Sequence, residues 1–258
     1  MGTGSRGALR GKSLSVVVPA YNEEQRIGAT LARILAYLRD EGARFEVLVV
    51  DDGSRDRTRE VVSRLAASEP HLRLIALGKN RGKGMAVRRG VLEATGDRVL
   101  FSDADLSAPI EEIEKLAARI ENGSAVAIGS RSVRGARIDV HQPWYRELMG
   151  KTFNLFVRVL AIRGFVDTQC GFKCFTADAA RAIFSRTRID RFAFDVEALV
   201  VARRLGFEVA EVPIRWSNEP NSRVGVLRDS VRMLLDLARI RWNIARGVYD
   251  AAPGAAAR

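Results

Sequence analysis

Cysteine and histidine are scarce in the sequence, and their scarcity excludes several kinds of site. The 258 residues include two cysteines, Cys170 and Cys174, and two histidines, His71 and His141. Two cysteines with no histidine nearby cannot supply the four ligands of a structural zinc site. A disulfide between them is one alternative, but two buried thiols in a reducing cytosol are favoured. We therefore assign neither cysteine a chemical role.

Long apolar runs are also missing from the sequence. No stretch of about eighteen apolar residues occurs, so we expect no membrane-spanning helix. Residues 1–12 are rich in glycine and arginine and have no apolar h-region, which argues against a signal peptide. We expect residues 1–12 and the Ala-, Pro- and Gly-containing residues 250–258 to be disordered, and the protein to be cytoplasmic.

Acidic residues are outnumbered by basic ones. The chain has 42 Lys and Arg against 31 Asp and Glu, which gives a net charge of +11. This excess favours a polyanionic partner, which could be nucleic acid, an anionic membrane surface or a phosphorylated substrate. We expect no nucleic-acid partner, because no binding motif is recognisable and aromatic residues are not interleaved with the basic clusters.

Short β-branched runs alternate with segments of helical periodicity over the first 130 residues. This alternation predicts an α/β domain with a mostly parallel, doubly wound sheet flanked by helices. Beyond residue 130 the pattern is less regular. The predicted strands are 14–18, 45–50, 72–77, 99–102, 125–128, a strand or hairpin over 169–175, and 207–212; a further apolar helix is predicted over 145–162.

The last segment, residues 226–249, has the pattern of a long amphipathic helix. Two interpretations stay open: the helix packs on the domain, or it lies at a lipid interface, where Trp and Arg suit the headgroup layer. They are compatible if each uses part of the apolar surface. One apolar face contains Leu227, Val231, Leu234, Leu235, Ala238, Trp242, Ala245 and Tyr249, and it is broadened by Leu237, Ile240, Ile244 and Val248.

Two carboxylates, Asp103 and Asp105, directly follow the predicted strand 99–102. The carboxyl end of a parallel strand is where open α/β sheets bind ligands. Carboxylates this close repel each other unless a cation or water separates them, and a divalent cation that also bridges phosphate oxygens would relieve the repulsion. A solvated loop is the plainer interpretation, and the Asp-x-Asp pattern alone does not decide between the two.

Three further polar loops follow predicted strands and are expected at the same edge of the sheet. Together the loops supply an aromatic ring, acceptors, cations and glycines, which suits a nucleoside diphosphate. Tyr21 would pack on the base, Asp52 would accept a hydrogen bond from a base N–H, and Lys83 would balance phosphate charge. The Gly-Lys-Gly sequence is not a P-loop, because the required spacing is missing. The three loops are residues 19–23, 51–54 and 79–84.

Four sequence blocks lie at these strand ends, and four more follow later in the chain. The first four are VVVPAYNEE (16–24), VVDDGS (49–54), NRGKG (80–84) and DAD (103–105); the later ones are GSR (129–131), DTQCGFK (167–173), FAFDVE (192–197) and EVP (211–213).

The first four blocks resemble the signature of family 2 glycosyltransferases, which have the Rossmann-like GT-A fold. The resemblance covers about residues 14–225 and implies a GT-A domain over 13–225, followed by a membrane-associating helix over 226–249. The later blocks are similar to polyprenyl-phosphate glycosyltransferases, first the dolichyl-phosphate β-glucosyltransferase branch and next the dolichyl-phosphate mannosyltransferases.

The resemblance implies roles for individual residues. Mg²⁺ or Mn²⁺ would be held by Asp103 and Asp105, with Ser107 near the metal. The catalytic residues would be Asp105 together with Arg131, Arg146 and Arg223, the three arginines meeting the lipid phosphate. The nucleotide-sugar donor would be bound by Pro19, Ala20, Tyr21, Glu23, Val50, Asp52, Gly53, Lys83, Asp103 and Ala104.

Two departures from the family pattern affect the identity of the donor. Arg223 stands where a Ser-Lys pair usually follows a glycine, and Asn221 replaces that glycine. The mannosyltransferase branch has a further arginine before that pair, where this chain has Asn218 and Glu219. These differences argue against a mannose donor.

The resemblance implies an inverting, metal-dependent transfer of a hexose, glucose from UDP-glucose, to a polyprenyl or dolichyl phosphate. The enzyme would be cytoplasmic and peripheral at the inner face of the cell membrane. A GDP-mannose-dependent mannosyltransferase and a family 2 enzyme with a soluble acceptor stay open as alternatives. An inactive nucleotide-sugar sensor is a further one, although the intact Asp103 and Asp105 argue against it. Prenyl chain length, oligomeric state, the choice of Mg²⁺ or Mn²⁺ and a membrane-anchored protein partner are also left open.

A second acidic pair, Asp195 and Glu197, lies at a predicted helix start. In other members of the wider family a carboxylate at such a position serves as general base. An acceptor phosphate is already a nucleophile, so a structural role is an equal alternative. That role would be a helix N-cap or a partner for Arg131.

Overall fold

The structure is a computed structural model that describes residues 9, 11–141, 150, 156–157, 161–218 and 226–250, without the side chains of residues 226–230. Four sequence predictions therefore fall on residues that are not described. These are the roles of Arg146 and Arg223, most of the predicted helix over 145–162, and nearly all of the predicted disorder at the two ends.

Strands and helices alternate along the described chain as the sequence predicts. Each predicted strand of the first 130 residues is present, with its ends shifted by two residues or fewer. The strands are β1 (Leu14–Ala20), β2 (Phe45–Asp51), β3 (Leu72–Ala76), β4 (Arg98–Ser102), β5 (Val126–Ser130), β6 (Arg137–Val140), β7 (Phe172–Thr176), β8 (Val209–Pro213) and β9 (Arg215–Ser217). The helices are α1 (Ile27–Asp40), α2 (Thr58–Ala66), α3 (Lys83–Glu93), α4 (Ile113–Glu121), α5 (Ala177–Phe184), α6 (Phe194–Arg204) and α7 (Val226–Ala245).

Seven strands form one sheet in the order β3-β2-β1-β4-β7-β5-β8. β1 pairs in parallel with β2 and β4, β2 with β3, and β5 with β8, so the predicted mostly parallel sheet is confirmed. β7 is antiparallel to both of its neighbours, β4 and β5. Because Phe172 opposes Ser102, the residues just before β7 lie at the carboxyl end of β4.

Helices cover both faces of the sheet, which explains why its central strands are apolar throughout. All seven residues of β1 are buried. One apolar cluster joins the sheet to α1, α2 and α4, and a second joins it to α3, α5, α6 and α7. Representative side chains are Ile34, Val62 and Leu116 in the first cluster, and Val87, Ala180, Leu199 and Leu237 in the second.

The final helix, α7, divides its apolar residues between the core and the surface. Leu237 and Ile240 are fully buried, whereas Val231, Leu235 and Trp242 are 59%, 65% and 64% exposed. Two of the residues predicted only to broaden the apolar face therefore make the packing contact of the helix, and Tyr249 of the main face is buried beyond its end. The main-face residues of α7 itself whose side chains are described are exposed. Within the described residues, no helix combines the length and the apolar composition that crossing a bilayer requires.

Candidate active site

The loops after β1 and β2 are joined by hydrogen bonds at one edge of the sheet. Ser54 Oγ accepts from the backbone N–H of Asn22 at 2.8 Å, and Thr58 Oγ1 accepts from that of Glu23 at 2.7 Å. Asn22 Oδ1 in turn accepts from the N–H of Arg55 at 2.7 Å. The two loops therefore form one rigid wall at the predicted nucleoside site.

Asp52 joins this wall to the loop after β3. Its carboxylate accepts from the N–H groups of Arg81 and Gly82 at 2.7 and 2.8 Å, and it is only 3% exposed. Burial raises the pKa of Asp52 above its ordinary value, although the two N–H groups oppose this. Each oxygen keeps a second acceptor lone pair, so the predicted contact with a base N–H is compatible with this role.

Gly53 allows the second and third loops to approach each other closely. Its φ is +71°, and a Cβ there would lie 2.4 Å from the carbonyl carbon of Lys79 and 2.6 Å from the nitrogen of Asn80. A side chain at this position would therefore push the 79–84 loop away from Asp52.

Lys83, the first residue of α3, forms an ion pair with Asp103. Lys83 Nζ lies 2.7 Å from Asp103 Oδ1 and 5.3 Å from the centroid of the Phe101 ring. Burial by itself would lower the pKa of Lys83, but the carboxylates of Asp103 and Asp195 raise it above the ordinary value. Burial raises the pKa of Asp103 above its ordinary value, whereas the ammonium of Lys83 acts to lower it. The two groups thus stabilise each other's charged forms.

Asp103 and Asp105 lie on one turn after β4 and fit a divalent cation. Ser107 N–H donates to Asp105 Oδ1 at 3.0 Å, and Asp103 Oδ1 faces the ammonium of Lys83 at 2.7 Å. Carboxylate oxygens are the ligands that hard divalent cations prefer, and a cation bound here would replace Lys83 as the partner of Asp103. Nowhere in the described chain do three acidic, cysteine or histidine side chains cluster, so such a cation would take further ligands from substrate oxygens or water.

The segment before β7 supports this turn, a role that the sequence analysis did not assign. Asp103 N–H donates to the carbonyl of Gly171 at 3.1 Å. A Cβ on Gly171 would lie 2.4 Å from Asp103 Cγ, so only glycine leaves room for the carboxylate. The DTQCGFK block pointed to this segment, but the contact arises only because β7 is reversed beside β4.

Arg131, predicted to meet the acceptor phosphate, is held by Asp167. Its Nε lies 2.7 Å from Asp167 Oδ2 and its Nη2 lies 2.9 Å from Oδ1, and the guanidinium carbon is 5.4 Å from the ring centroid of Trp216. Although burial opposes it, the guanidinium lowers the pKa of Asp167 to about 2. The pair fixes the orientation of Arg131 and leaves its remaining N–H groups available to an anion.

Asp195 pairs with Lys173 and not with Arg131, and it does not cap its helix. Lys173 Nζ lies 2.5 Å from Asp195 Oδ1 and 2.5 Å from the carbonyl of Cys170. Both side chains are almost completely buried, and the residue at the N-cap of α6 is Ala193. Both predicted structural roles of Asp195 are therefore wrong, because the reversed strand β7 inserts Lys173 beside it.

Glu197 is fully buried and joins the loop at residues 188–189 to Tyr249, which follows α7. Its carboxylate accepts from the N–H groups of Arg188 and Ile189, at 2.8 to 2.9 Å, and from the hydroxyl of Tyr249 at 2.6 Å. Burial raises the pKa of Glu197. With no exposed surface, Glu197 has a structural role in this arrangement. The two cysteines are free and buried, as predicted, and burial raises the pKa of both to about 12.

The remaining predicted donor residues lie around the same edge. Pro19 and Ala20 end β1, and Val50 lies next to the last residue of β2. Tyr21 and Glu23 are half-buried on the loop after β1, and Ala104 and Ser107 are buried on the turn after β4. The carbonyl of Ser107 accepts from the N–H of Ser217, which ties this turn to β9.

Known proteins resemble the chain in both sequence and fold. The profile of Glycosyl transferase family 2 matches residues 15–179. A dolichyl-phosphate beta-glucosyltransferase of Trichomonas vaginalis is 37% identical over 244 residues, 90% of this chain and 72% of that protein. The dolichyl-phosphate beta-glucosyltransferase of Homo sapiens is 36% identical over 251 residues, 92% of this chain and 78% of that protein.

A solved structure shares the fold at low sequence identity. It is glucosyl-3-phosphoglycerate synthase from Mycobacterium tuberculosis in complex with Mn²⁺, UDP-glucose and glycerol 3-phosphate. The TM-score is 0.68 at 18% identity, over 92% of this chain and 82% of that one, a likeness that concerns the fold alone and agrees with the predicted GT-A fold. The matched profile and the relatives together decide the family. The chain belongs to glycosyl transferase family 2.

Proposed function

We propose that the protein is an inverting glucosyltransferase that moves glucose from UDP-glucose to a dolichyl or other polyprenyl phosphate. The observation that carries the proposal is the connected path from Asp52 through Gly82 and Lys83 to Asp103 at one edge of the sheet. It joins the wall formed by the loops after β1 and β2 to the ammonium of Lys83 and to the carboxylates of Asp103 and Asp105. The relatives named dolichyl-phosphate beta-glucosyltransferases support the choice of acceptor and sugar.

In this proposal the donor lies along the loops after β1, β2 and β3. Tyr21 packs on the uracil ring, and Asp52 accepts from its N–H. Lys83 leaves its ion pair with Asp103 to contact the diphosphate, where its charge is offset by phosphate oxygens. Asp103 and Asp105 would hold Mg²⁺ or Mn²⁺, whose charge would offset the negative charge that develops on the departing diphosphate.

The acceptor phosphate needs no strong general base. Its second pKa is about 6, so it is mostly dianionic at neutral pH. One of its oxygens attacks C1 of glucose from the face opposite the diphosphate, and the C1–O bond breaks with its electron pair leaving on UDP. The position of Asp195 agrees with this mechanism, because its carboxylate is almost completely buried and already paired with the ammonium of Lys173.

Arg131 positions the attacking phosphate in this scheme. Its guanidinium is fixed on one edge by Asp167 and is 28% exposed, so its other N–H groups can donate to an anion in a defined direction. Arg146 and Arg223 are proposed to complete the phosphate contact. Together these arginines would account for part of the excess positive charge of the chain.

The lipid acceptor also requires a membrane contact, and the uncovered face of α7 is proposed to provide it. The domain would then consist of a catalytic unit over 13–225 and a membrane-associating helix over 226–249, peripheral on the cytoplasmic side. Exposed Val231, Leu235 and Trp242 support this assignment, because an amphipathic helix binds an interface through such a face.

The proposal is tested by transfer of radiolabelled sugar into an organic-extractable lipid. UDP-glucose and GDP-mannose are compared as donors to a polyprenyl phosphate, each with and without Mn²⁺. Label that enters the lipid from UDP-glucose and requires the metal is the expected result. Label from GDP-mannose alone would favour a mannosyltransferase, and transfer only to water-soluble acceptors would overturn the lipid acceptor.

A further inference from the structure

A cavity of about 460 Å³ lies beneath the final helix, away from the carboxylate pair. Its walls come from residues 161–163, from the end of α6 and from the second half of α7. Helix α6 begins near the active site with Asp195 and ends at the cavity with Arg204. Arg204 lies nine positions after Asp195 along this helix, a rise of roughly 13 Å. The cavity therefore lies apart from the active site, on the side of the sheet that α6 and α7 cover.

Four arginines line this cavity, and they are Arg163, Arg203, Arg204 and Arg241. Arg204 pairs with Asp250 at 2.6 Å. Arg203 donates to the backbone carbonyl of Arg163, and its guanidinium carbon lies 5.4 Å from the ring centroid of Phe165. In the part of the chain that the structure describes, Arg163 and Arg241 make no hydrogen bond or ion pair through their side chains. Among the described residues, Asp250 is the carboxylate paired with one of these four guanidinium groups, and the remaining positive charge favours an anion.

The chemistry of the walls narrows the class of anion. Between the arginines lie the apolar side chains of Ile162, Val200 and Ile244. Forked guanidinium groups match phosphate oxygens, whereas the aliphatic walls match a less polar part of the same molecule. A phosphate that carries hydrocarbon satisfies both parts of the cavity.

The uncovered face of α7 lies beside the cavity on the same helix. Arg241, which lines the cavity, directly precedes Trp242, which is 64% exposed, and Leu235 is 65% exposed. An exposed apolar face next to a cationic cavity has the composition of a surface that binds anionic bilayers. Acyl chains would meet the apolar face where headgroup phosphates meet the arginines.

We propose that this cavity binds the phosphate headgroup of an anionic membrane phospholipid and thereby docks α7 on the bilayer. It is a site separate from the one that holds the acceptor phosphate. The inference rests on the peripheral membrane contact of the proposed function and adds to it a lipid preference and a defined binding site.

The test uses vesicles of phosphatidylcholine with and without phosphatidylglycerol. The 258-residue protein is compared with the double variant Arg163→Gln/Arg241→Gln, whose side chains have no partners to lose among the described residues. The matched control is Arg64→Gln/Arg119→Gln, which removes the same charge from exposed positions on α2 and α4, on the opposite face of the sheet.

We expect the wild type and the control to prefer vesicles that contain phosphatidylglycerol. The Arg163→Gln/Arg241→Gln variant should bind these vesicles about tenfold more weakly, with unchanged binding to phosphatidylcholine alone. Equal losses in the two double variants would mean that only net charge matters and would overturn the site. A wild type with no preference for phosphatidylglycerol would overturn it as well.

Transfer to a polyprenyl phosphate in detergent micelles separates this site from the catalytic one. The Arg163→Gln/Arg241→Gln variant should keep the wild-type kcat and the wild-type KM for the acceptor there. A raised KM for the acceptor would mean that the cavity binds the acceptor phosphate, which would contradict the proposal. If the wild type transferred no sugar, the proposed function would fail while the vesicle comparison still decided the lipid site.

Discussion

Arg131 and Asp167 form a two-point ion pair at the edge of the sheet that carries the acidic turn. Arg131 Nε and Nη2 lie 2.7 and 2.9 Å from the two carboxylate oxygens, and Asp167 Oδ2 also accepts the backbone N–H of Arg131 at 3.0 Å. Glu211 of β8 accepts the N–H of Asp167 at 2.7 Å. The pair thus joins the end of β5 and the middle of β8 to the segment that leads into β7, and it gives the proposed phosphate-binding arginine one orientation.

Asp167 should stabilise the fold at neutral pH and lose this effect in acid. The pKa of its carboxyl falls from 3.8 to about 2 on folding, so stability that is present above the unfolded pKa is lost as pH falls toward the folded one. We expect Asp167→Asn to lower the free energy of unfolding by about 2 kcal/mol at pH 7 and by much less near pH 2. Denaturant unfolding across this range measures the difference, with the exposed Asp40→Asn as control. An equal loss at both pH values would contradict the ion pair.

Lys83 should contribute to transfer through its charge. We expect Lys83→Met to reduce kcat about a hundredfold, because a cation that faces the diphosphate in the transition state is removed. Lys79→Met, at an exposed position in the same loop, is the matched control and should retain activity. Steady-state kinetics with UDP-glucose make the comparison, and equal effects of the two substitutions would argue against a specific phosphate contact.

The local elements of this chain follow from its sequence, whereas their pairing does not. Residues such as Val16, Val47 and Leu100 occur in short β-branched runs, and burial on both faces of a sheet produces that pattern directly. The antiparallel pairing of β7 with β4 and β5 depends on the three-dimensional arrangement of the strands, and the periodicity of the sequence does not predict it. The contacts of Asp103 with Gly171 follow from this reversal and were therefore missed.

The ion-pair partners of Arg131 and Asp195 could not be predicted from the sequence for the same reason. Arg131 and Asp195 could be singled out as functional from sequence blocks, but their partners lie more than twenty residues away in the chain. Helical periodicity placed apolar residues on α7 correctly. It could not say which of two neighbouring apolar stripes packs on the domain, since both have similar side chains.

Gly171 should be required for the acidic turn to hold its shape. A methyl group there would lie 2.4 Å from Asp103 Cγ, so we expect Gly171→Ala to displace the carboxylate and weaken Mn²⁺-dependent activity at least tenfold. Gly28→Ala on α1 is the control, because its Cβ would lie 3.7 Å from Val61 Cγ1, an ordinary contact. Titration of activity with Mn²⁺ should show a raised metal requirement in the first variant only. An unchanged Mn²⁺ requirement in Gly171→Ala would mean that Gly171 does not determine the geometry of the turn.

The uncovered face of α7 should bind membranes through its apolar side chains. We expect Leu235→Ser/Trp242→Ser to reduce vesicle binding about tenfold, because two exposed apolar side chains can no longer enter the interface. Leu92→Ser on α3 removes another exposed leucine and is expected to bind like the wild type. Co-sedimentation with vesicles gives the values. Wild-type vesicle binding by the double variant would mean that the membrane contact lies elsewhere on the protein.

Asp105 offers the most direct test of the central claim, which is that an acidic turn after β4 holds a divalent cation for transfer from a nucleotide sugar. The measurement is transfer of radiolabelled glucose from UDP-glucose into an extractable polyprenyl phosphate, with and without Mn²⁺, by the wild type and by Asp105→Asn. The account predicts metal-dependent label in the lipid for the wild type and its loss in the variant, with the unfolding transition unchanged. Full, metal-dependent transfer by Asp105→Asn would contradict it.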